Sequence, residues 1–284
     1  MLKKTQDIAS VDELYNIANE LRIDILDMVY KSQSGHIGGS YSSAEIVSTL
    51  YFSEMKNLDP LNPRKENRDR FVLSKGHACP VWYASLAKLG YFEKEKLNYL
   101  RRLNSPLQGH PDMKSTPGLD MTTGSLGHGC ASATGMALEG KMTDDGRRVY
   151  SILGDGEINE GAVWETALVA AKYKLDNLVF FIDKNNLQMD GTSDEIMPLL
   201  SIEDKFSSFG WHTLTIDGHD INEIQASLKT AREYKGKPTC IVANTTKGKG
   251  VSFMEDVRNW HGKAPDTKEY EAARAELTAN TFNL

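Results

Sequence analysis

Gly154-Asp155-Gly156 runs into Glu157-Ile-Asn-Glu160-Gly161, and 30 positions after Asp155 stands Asn185, inside Asp183-Lys-Asn-Asn-Leu187. Two glycines let the backbone come close to a ligand. The helix start near Gly161 adds free N–H groups and the positive end of a dipole, which together make an anion site. Asp155 puts a carboxylate in the same place, where a bare phosphate would be repelled. A divalent cation between the two removes the conflict, since Mg²⁺ typically takes one or two protein oxygens plus phosphate oxygens and water. Asn185 and a backbone carbonyl near Leu187 add hard oxygen donors, enough for half an octahedron. Taken singly, Gly-Asp-Gly is most often a tight turn and Asn-Asn a loop with left-handed residues. One βα unit apart, the two segments belong to adjacent parallel strand ends and point jointly to a diphosphate and metal site.

Four histidines sit in glycine-flanked segments: Ser34-Gly-His36, Lys75-Gly-His77, Gly109-His110-Pro111 and Trp260-His261-Gly262. Such loops bring backbone close to a ligand, and imidazole exchanges protons near neutral pH. His212 and His219 lack that setting and read as loop or satisfied core residues. Other phosphate motifs fail: Asn159 stands where a dinucleotide fingerprint needs its third glycine, and no GxxxxGK[ST] occurs. Lys247-Gly-Lys-Gly250 lacks the leading glycine and the hydroxyl residue of a P-loop.

The elements that must position these residues follow from periodicity. Ser10-Val-Asp-Glu13 has capping-box spacing, and Leu14, Ile17, Leu21, Ile25 and Met28 carry a helix that should stop near Gly35. Ser42-Ser-Ala-Glu45 repeats the pattern before a second helix, and Ser34 to Ser40 reads as a loop by composition. A short strand is expected over Arg70 to Ser74, followed by a helix with Pro80 in its first turn. Residues 104 to 130 form a Gly, Pro, Ser and Thr-rich segment of a length that is usually functional or disordered. Beyond it come strand Arg148 to Leu153, helix Gly161 to Tyr173, strand Leu178 to Asp183, strand Thr213 to Asp217, helix Ile221 to Tyr234 and strand Thr239 to Asn244. Strands alternating with helices predict an α/β fold with a mostly parallel sheet and helices on both faces, as one domain over residues 1–284.

Composition fits that class. With 284 residues, 40% hydrophobic and 25% charged, the chain has the values of a soluble globular protein able to bury a sizeable core. A net charge of −6 gives no basic footprint for nucleic acid, and no apolar run approaches a membrane span. Cys79, Cys130 and Cys240 are odd in number and scattered, which suits reduced thiols in a cytoplasmic protein.

Gly154-Asp-Gly156 through Asn185-Asn186 looks like the thiamine diphosphate motif. More specifically, the chain resembles the amino-terminal, diphosphate-binding half of transketolase along nearly its whole length. Lys75-Gly-His77, Gln108-Gly-His-Pro-Asp112, Thr122-Thr-Gly-Ser-Leu-Gly127, Thr246-Lys-Gly-Lys-Gly250 and Asn259-Trp-His-Gly-Lys263 carry that likeness. The resemblance implies that Asp155, Asn185 and the Leu187 carbonyl hold Mg²⁺, or Ca²⁺ in its place, while Gly156, Asn185, His77 and His261 meet the diphosphate. Gly124, Ser125 and Leu126 would line the rest of the cofactor. His36, His110 and His261 match the family's substrate histidines, which bind donor hydroxyls and shuttle their protons. Glu160 and Glu165 match a carboxylate link between the two cofactor sites of a dimer, and for Glu165 a solvated helix face is an equal reading. His128 stands where the family usually has Gln, and Ser125 replaces a common Pro.

The family also uses a Glu on a following pyrimidine-binding domain, and the roughly forty residues after Asn244 cannot encode that domain. The expectation is therefore a split transketolase. A carboxy-terminal partner subunit would complete the site in an α2β2 assembly with a second copy of this chain, working on sugar phosphates in pentose phosphate metabolism, with no nucleic acid or membrane partner. Alternatives are the same type of chain working on a branched or sulfonated sugar phosphate, a 2-oxo acid dehydrogenase α subunit, which leaves Gly109-His-Pro111 unexplained, and a non-catalytic pseudo-subunit.

Overall fold

The computed structural model describes residues 8–280. It opens with α1 (Val11–Ser32), started by the expected reciprocal bonds between Ser10 and Glu13 and closed by Gln33 in the left-handed conformation. Two short helices follow, α2 (Ile37–Tyr41) and α3 (Ala44–Thr49). Both correct the sequence expectation. The loop predicted over Ser34 to Ser40 is half helix, and Ser42-Ser-Ala-Glu45 forms no capping box. The Ser42 hydroxyl donates instead to Asp183 Oδ2 (2.7 Å), and Glu45 is held by a two-pronged bond from Arg22 (2.6 and 2.7 Å).

Then come β1 (Arg70–Leu73), α4 (Cys79–Leu89), α5 (His128–Thr143), β2 (Val149–Gly154), α6 (Gly161–Lys172) and β3 (Leu178–Lys184). They are followed by α7 (Ser193–Ile196), α8 (Ile202–Ser208), β4 (His212–Asp217), α9 (Ile221–Glu233), β5 (Thr239–Asn244) and α10 (Thr267–Ala279). All five strands are parallel, in the order β1-β2-β3-β5-β4. Alternation along each strand divides the core in two. Tyr150, Ile152, Val179, Phe181 and Ile241 pack beneath α1, α3, α4, α9 and α10. Val149, Leu153, Phe180, Ile182 and Val242 pack under α5, α6 and α8. Helices on both faces explain why the central strands β2, β3 and β5 are buried over nearly all their length, whereas the edge strand β4 is not. Every strand then presents its carboxyl end to the same rim, where ligands bind in open parallel sheets.

Between Leu100 and α5 the chain has no regular structure except turns, yet it is anchored. Asp120 is buried and takes both guanidinium arms of Arg68 (2.5 and 3.0 Å) together with the Phe71 N–H (2.9 Å), which fixes the segment to β1. Helix α5 escaped the periodicity reading, because three glycines and several alanines leave it no apolar stripe.

Candidate active site

Gly154 ends β2 directly opposite Asp183 on β3, so the one-βα spacing delivers the predicted adjacency. Asp155 begins a single 3-10 turn over Gly156–Asn159. Its Oδ1 accepts the Gly156 N–H (2.8 Å), and its Oδ2 accepts the Asn186 N–H (2.7 Å) and the Ser193 hydroxyl (3.1 Å). Burial and the neighbouring Asp183 charge push the Asp155 carboxyl above the usual range. Asn185 is also buried; its amide donates to Asp183 Oδ2 (3.0 Å) and its side-chain oxygen accepts the Leu187 N–H (3.2 Å). The Leu187 carbonyl accepts the Lys247 ammonium (2.7 Å). Asp155, Asn185 and Leu187 thus meet at one place.

His36, His77 and His261 form a triangle next to it, with ring centroids 5.1, 5.2 and 5.4 Å apart. Glycines let the backbone approach: a Cβ on Gly39 would lie 3.8 Å from both His77 Nε2 and Lys75 Nζ, and one on Gly262 would lie 3.7 Å from the His36 ring. His110 is exposed on its loop, and a Cβ on Gly124 would come within 3.3 Å of its ring, so Gly124 to Leu126 belong to the same rim. His261 Nδ1 faces Lys247 Nζ at 2.9 Å. Burial first, then nearby positive charge, lowers His36 to about 4 and His261 to about 3, and takes His77 well below its ordinary value. With pKa values lowered in this way, the three rings are uncharged at neutral pH in the free chain.

Several residues of the site carried no role in the sequence reading. Lys75 is fully enclosed, its ammonium donating to Gly39 O (2.7 Å) and Asp183 Oδ2 (2.5 Å). Glu157 accepts the Ser74 hydroxyl (2.5 Å), the Gly127 N–H (2.9 Å) and the Gly154 N–H (3.1 Å), tying the Gly124–Gly127 loop to the Asp155 turn. Lys247, whose ammonium burial lowers to about 8, bridges Leu187 and His261. The signal for Lys75 and Lys247 was present as the Lys-Gly dipeptides, but only the fold shows where they point.

Other candidates lie farther out. Glu160 is the exposed residue before α6 and packs on Gly127, and Glu165 is exposed on α6. Ser125 and His128 are exposed at the start of α5. His212 stacks on Tyr234 at 3.9 Å. His219 accepts the Thr246 N–H at Nε2 (2.8 Å) and faces Glu45 with Nδ1 (2.9 Å), a satisfied packing residue as expected. Among the described residues no group of three His, Cys, Asp or Glu side chains could hold a metal, so any cation here relies on amide and carbonyl oxygens beside Asp155.

The description "Transketolase, thiamine diphosphate binding domain" matches residues 14–283. The chain is 46% identical over 265 residues to the 6-deoxy-6-sulfo-D-fructose transketolase subunit SqwG of Clostridium sp. (strain MSTE9), covering 93% of this chain and 96% of that one. It is 39% identical to one of the subunits of the apulose-4-phosphate transketolase of Phocaeicola vulgatus, covering 96% of this chain and 95% of that one. Human transketolase is 42% identical, but there 90% of this chain spans only 41% of the relative. The crystal structure of Campylobacter jejuni transketolase superposes with a TM-score of 0.89 at 33% identity, covering 95% of this chain and 43% of that one. The parallel sheet agrees with these likenesses, and the chain belongs to the transketolase family through its thiamine diphosphate-binding domain.

Proposed function

We propose that the chain is the amino-terminal subunit of a transketolase, one thiamine diphosphate-binding domain that works with a carboxy-terminal partner subunit. Together they transfer a two-carbon ketol unit from a ketose phosphate to an aldose phosphate. The observation carrying this reading is the convergence of Asp155, Asn185 and the Leu187 carbonyl beside the three-histidine triangle at adjacent strand ends. Two relatives named as transketolase subunits, matched over 96% and 95% of their own length, support a two-chain enzyme. The exposed α6 face bearing Glu165, Leu168 and Val169 supports contact with a second copy, hence α2β2. Buried, unpaired cysteines support a cytoplasmic location, and among the described residues no helix is long and apolar enough to cross a membrane.

The residues fit the cofactor and its metal. Asp155 and Asp183 repel each other in a buried place, which a cation beside Asp155 would relieve, and the donors are hard oxygens of the kind Mg²⁺ or Ca²⁺ takes. The Leu187 carbonyl already receives a cationic group, the Lys247 ammonium. Asp155, Asn185 and Leu187 would hold the metal, and His77, Gly156, Asn185 and His261 would meet the diphosphate. Thiamine diphosphate supplies, when bound, the carbanion chemistry that breaks and makes the carbon–carbon bond.

The chain's own part is orientation and hydrogen bonding. Lys247 faces His261 Nδ1, and while charged it can only donate, so the ring keeps its proton on Nε2. With a lowered pKa, His261 is a weak base and a good donor, suited to polarising a sugar oxygen while remaining neutral. His110, exposed at the rim, would meet hydroxyls of the donor.

The test is to combine this chain with the product of the neighbouring gene and assay ketol transfer. Activity is expected only from the mixture, and full activity of the purified chain alone refutes the two-chain reading. A second reading, a specialised sugar substrate, is favoured by the names of the two relatives matched over 96% and 95% of their length, which refer to a sulfonated sugar and to apulose 4-phosphate. A screen of ketose phosphates and sulfonates on the reconstituted pair separates the two.

A further inference from the structure

Arg101 lies outside every motif that the sequence marks, yet its side chain enters the histidine cluster. Its backbone is in the left-handed region (φ 58°), uncommon for a non-glycine residue, and is held there by an N–H bond to Leu107 O (2.8 Å). Local strain of this kind persists where surrounding contacts enforce it. From that turn the guanidinium donates to Ser34 Oγ (3.1 Å) and Gly109 O (3.3 Å), and its Nη2 reaches His36 Nδ1 (3.5 Å). One cation therefore bridges the loop leading to His36 and the loop leading to His110. Gly109 makes room for it, since a Cβ there would lie 2.9 Å from the guanidinium carbon.

A guanidinium has five donors and no acceptor. Facing it, His36 Nδ1 must accept, so the ring proton sits on Nε2, on the side away from Arg101. We infer that Arg101 is a positioning residue of this centre, fixing His36 as the Nε2–H tautomer and joining the His36 and His110 loops in one arrangement. The rings of His77 and His261 also face His36, and Lys247, His110 and Arg101 act on it electrostatically. Among the described residues no carboxylate is among these influences, and Arg101 is the largest charge cause for both His36 and His110, second only to burial. Its role in catalysis rests on the ketol-transfer reading, whereas its effect on the two rings does not.

The experiment is an NMR titration of the chain with ¹⁵N- and ¹³C-labelled histidine, with Arg101→Gln and Arg101→Lys beside the wild type. In the wild type His36 is expected to show the Nε2–H nitrogen pattern and to stay neutral through about pH 5.5. Arg101→Gln should raise the proton affinity of His36 about tenfold or more, a full pKa unit, and mix the tautomers. Arg101→Lys, still a donor-only cation, should keep most of the charge effect and the tautomer, but lose the forked bonds that join the two loops. An Nδ1–H tautomer in the wild type overturns the inference even if Arg101→Gln fails to fold, and unchanged His36 titration in a folded Arg101→Gln overturns it as well. With the partner added, the acid limb of the rate profile should move up in Arg101→Gln. Absence of all ketol transfer would refute the functional reading and leave the ring measurements to decide the rest.

Discussion

Replacing Asp183 by Asn tests whether the site is held by its buried ion pair. Asp183 and Lys75 are 2.5 Å apart, with side-chain exposures of 0% and 2%. The carboxylate also accepts from Ser42 (2.7 Å), from Asn185 (3.0 Å) and from the Thr245 hydroxyl. Asn is nearly the same shape and keeps an oxygen acceptor for part of this set, but leaves the enclosed Lys75 ammonium without the carboxylate it pairs with. Breaking a buried pair from one side costs about 3–5 kcal/mol, and the retained acceptor puts Asp183→Asn near the lower end, about 3 kcal/mol. For a chain of this size that is a loss of roughly 6 °C in Tm. Thermal and urea unfolding measure it, with Lys88→Ala as control. The Lys88–Glu20 pair is solvent-exposed, and its loss should cost under about 1 kcal/mol. In Lys75→Met/Asp183→Asn the stranded ammonium is gone, so the double variant should be more stable than the sum of the singles implies, by about 1–3 kcal/mol. A loss below about 1 kcal/mol in Asp183→Asn, or strict additivity, would refute the reasoning. Because Asn185 hangs on the same carboxylate, a real effect should also weaken metal-dependent cofactor binding.

Asp155→Ala should abolish divalent-cation-dependent binding of thiamine diphosphate in calorimetry, whereas His110→Ala should leave that binding intact and lower turnover about 100-fold in the reconstituted enzyme. The reverse pattern would exchange their roles. Gly129→Ala should cost about 2–3 kcal/mol in urea unfolding, since its Cβ would fall 2.6 Å from the Ser74 Cα and push α5 off β1. His36, His77 and His261 have folded pKa values below the unfolded value of about 6.5, so the folded state binds fewer protons. Their contribution is whole above about pH 6.5 and is lost as pH falls towards about 4, so the urea midpoint should drop between about pH 7 and 5; a flat midpoint there would contradict neutral, buried imidazoles.

What the sequence made legible were features fixed by local spacing. The five strands, the Ser10 cap and the adjacency of Asp155 and Asn185 each follow from period or from βα length, and tertiary packing merely accepts them. The failures share a different cause. Ser42-Ser-Ala-Glu45 has the letters of a capping box, but Arg22 and His219 compete for Glu45, and Asp183 competes for Ser42. Charge-assisted bonds outrank a neutral cap. The glycines of α2 suggested loop because glycine is costly in a helix, and those of α5 helped to erase its apolar stripe. Here closeness decides: Lys247 would lie 2.9 Å from a Cβ on Gly38, and Arg147 would lie 2.7 Å from one on Gly140. The histidines were found by their glycine neighbours, but Arg101, Lys75 and Glu157 act across 65, 108 and 83 positions of chain, on His36, Asp183 and Ser74, and no local pattern encodes that.

The same long-range pairing bears on how a chain of net charge −6 would hold a diphosphate. The site's cations are already engaged: Lys75 by Asp183, Lys247 by Leu187 and His261, and Arg101 by the His36 and His110 loops. The histidines, which could have added charge, are held neutral. Little free positive potential is left to attract an anion, while Asp155 and Asp183 repel one. Diphosphate affinity in such a place has to come with a metal ion. Thiamine diphosphate should therefore bind this chain detectably with Mg²⁺ or Ca²⁺ and lose about 100-fold or more in affinity with chelator, a dependence that calorimetry reads directly. Binding of equal strength without any divalent ion would mean that the buried pairs open to receive the phosphate, and would undo the view of this centre as a set of mutually satisfied charges.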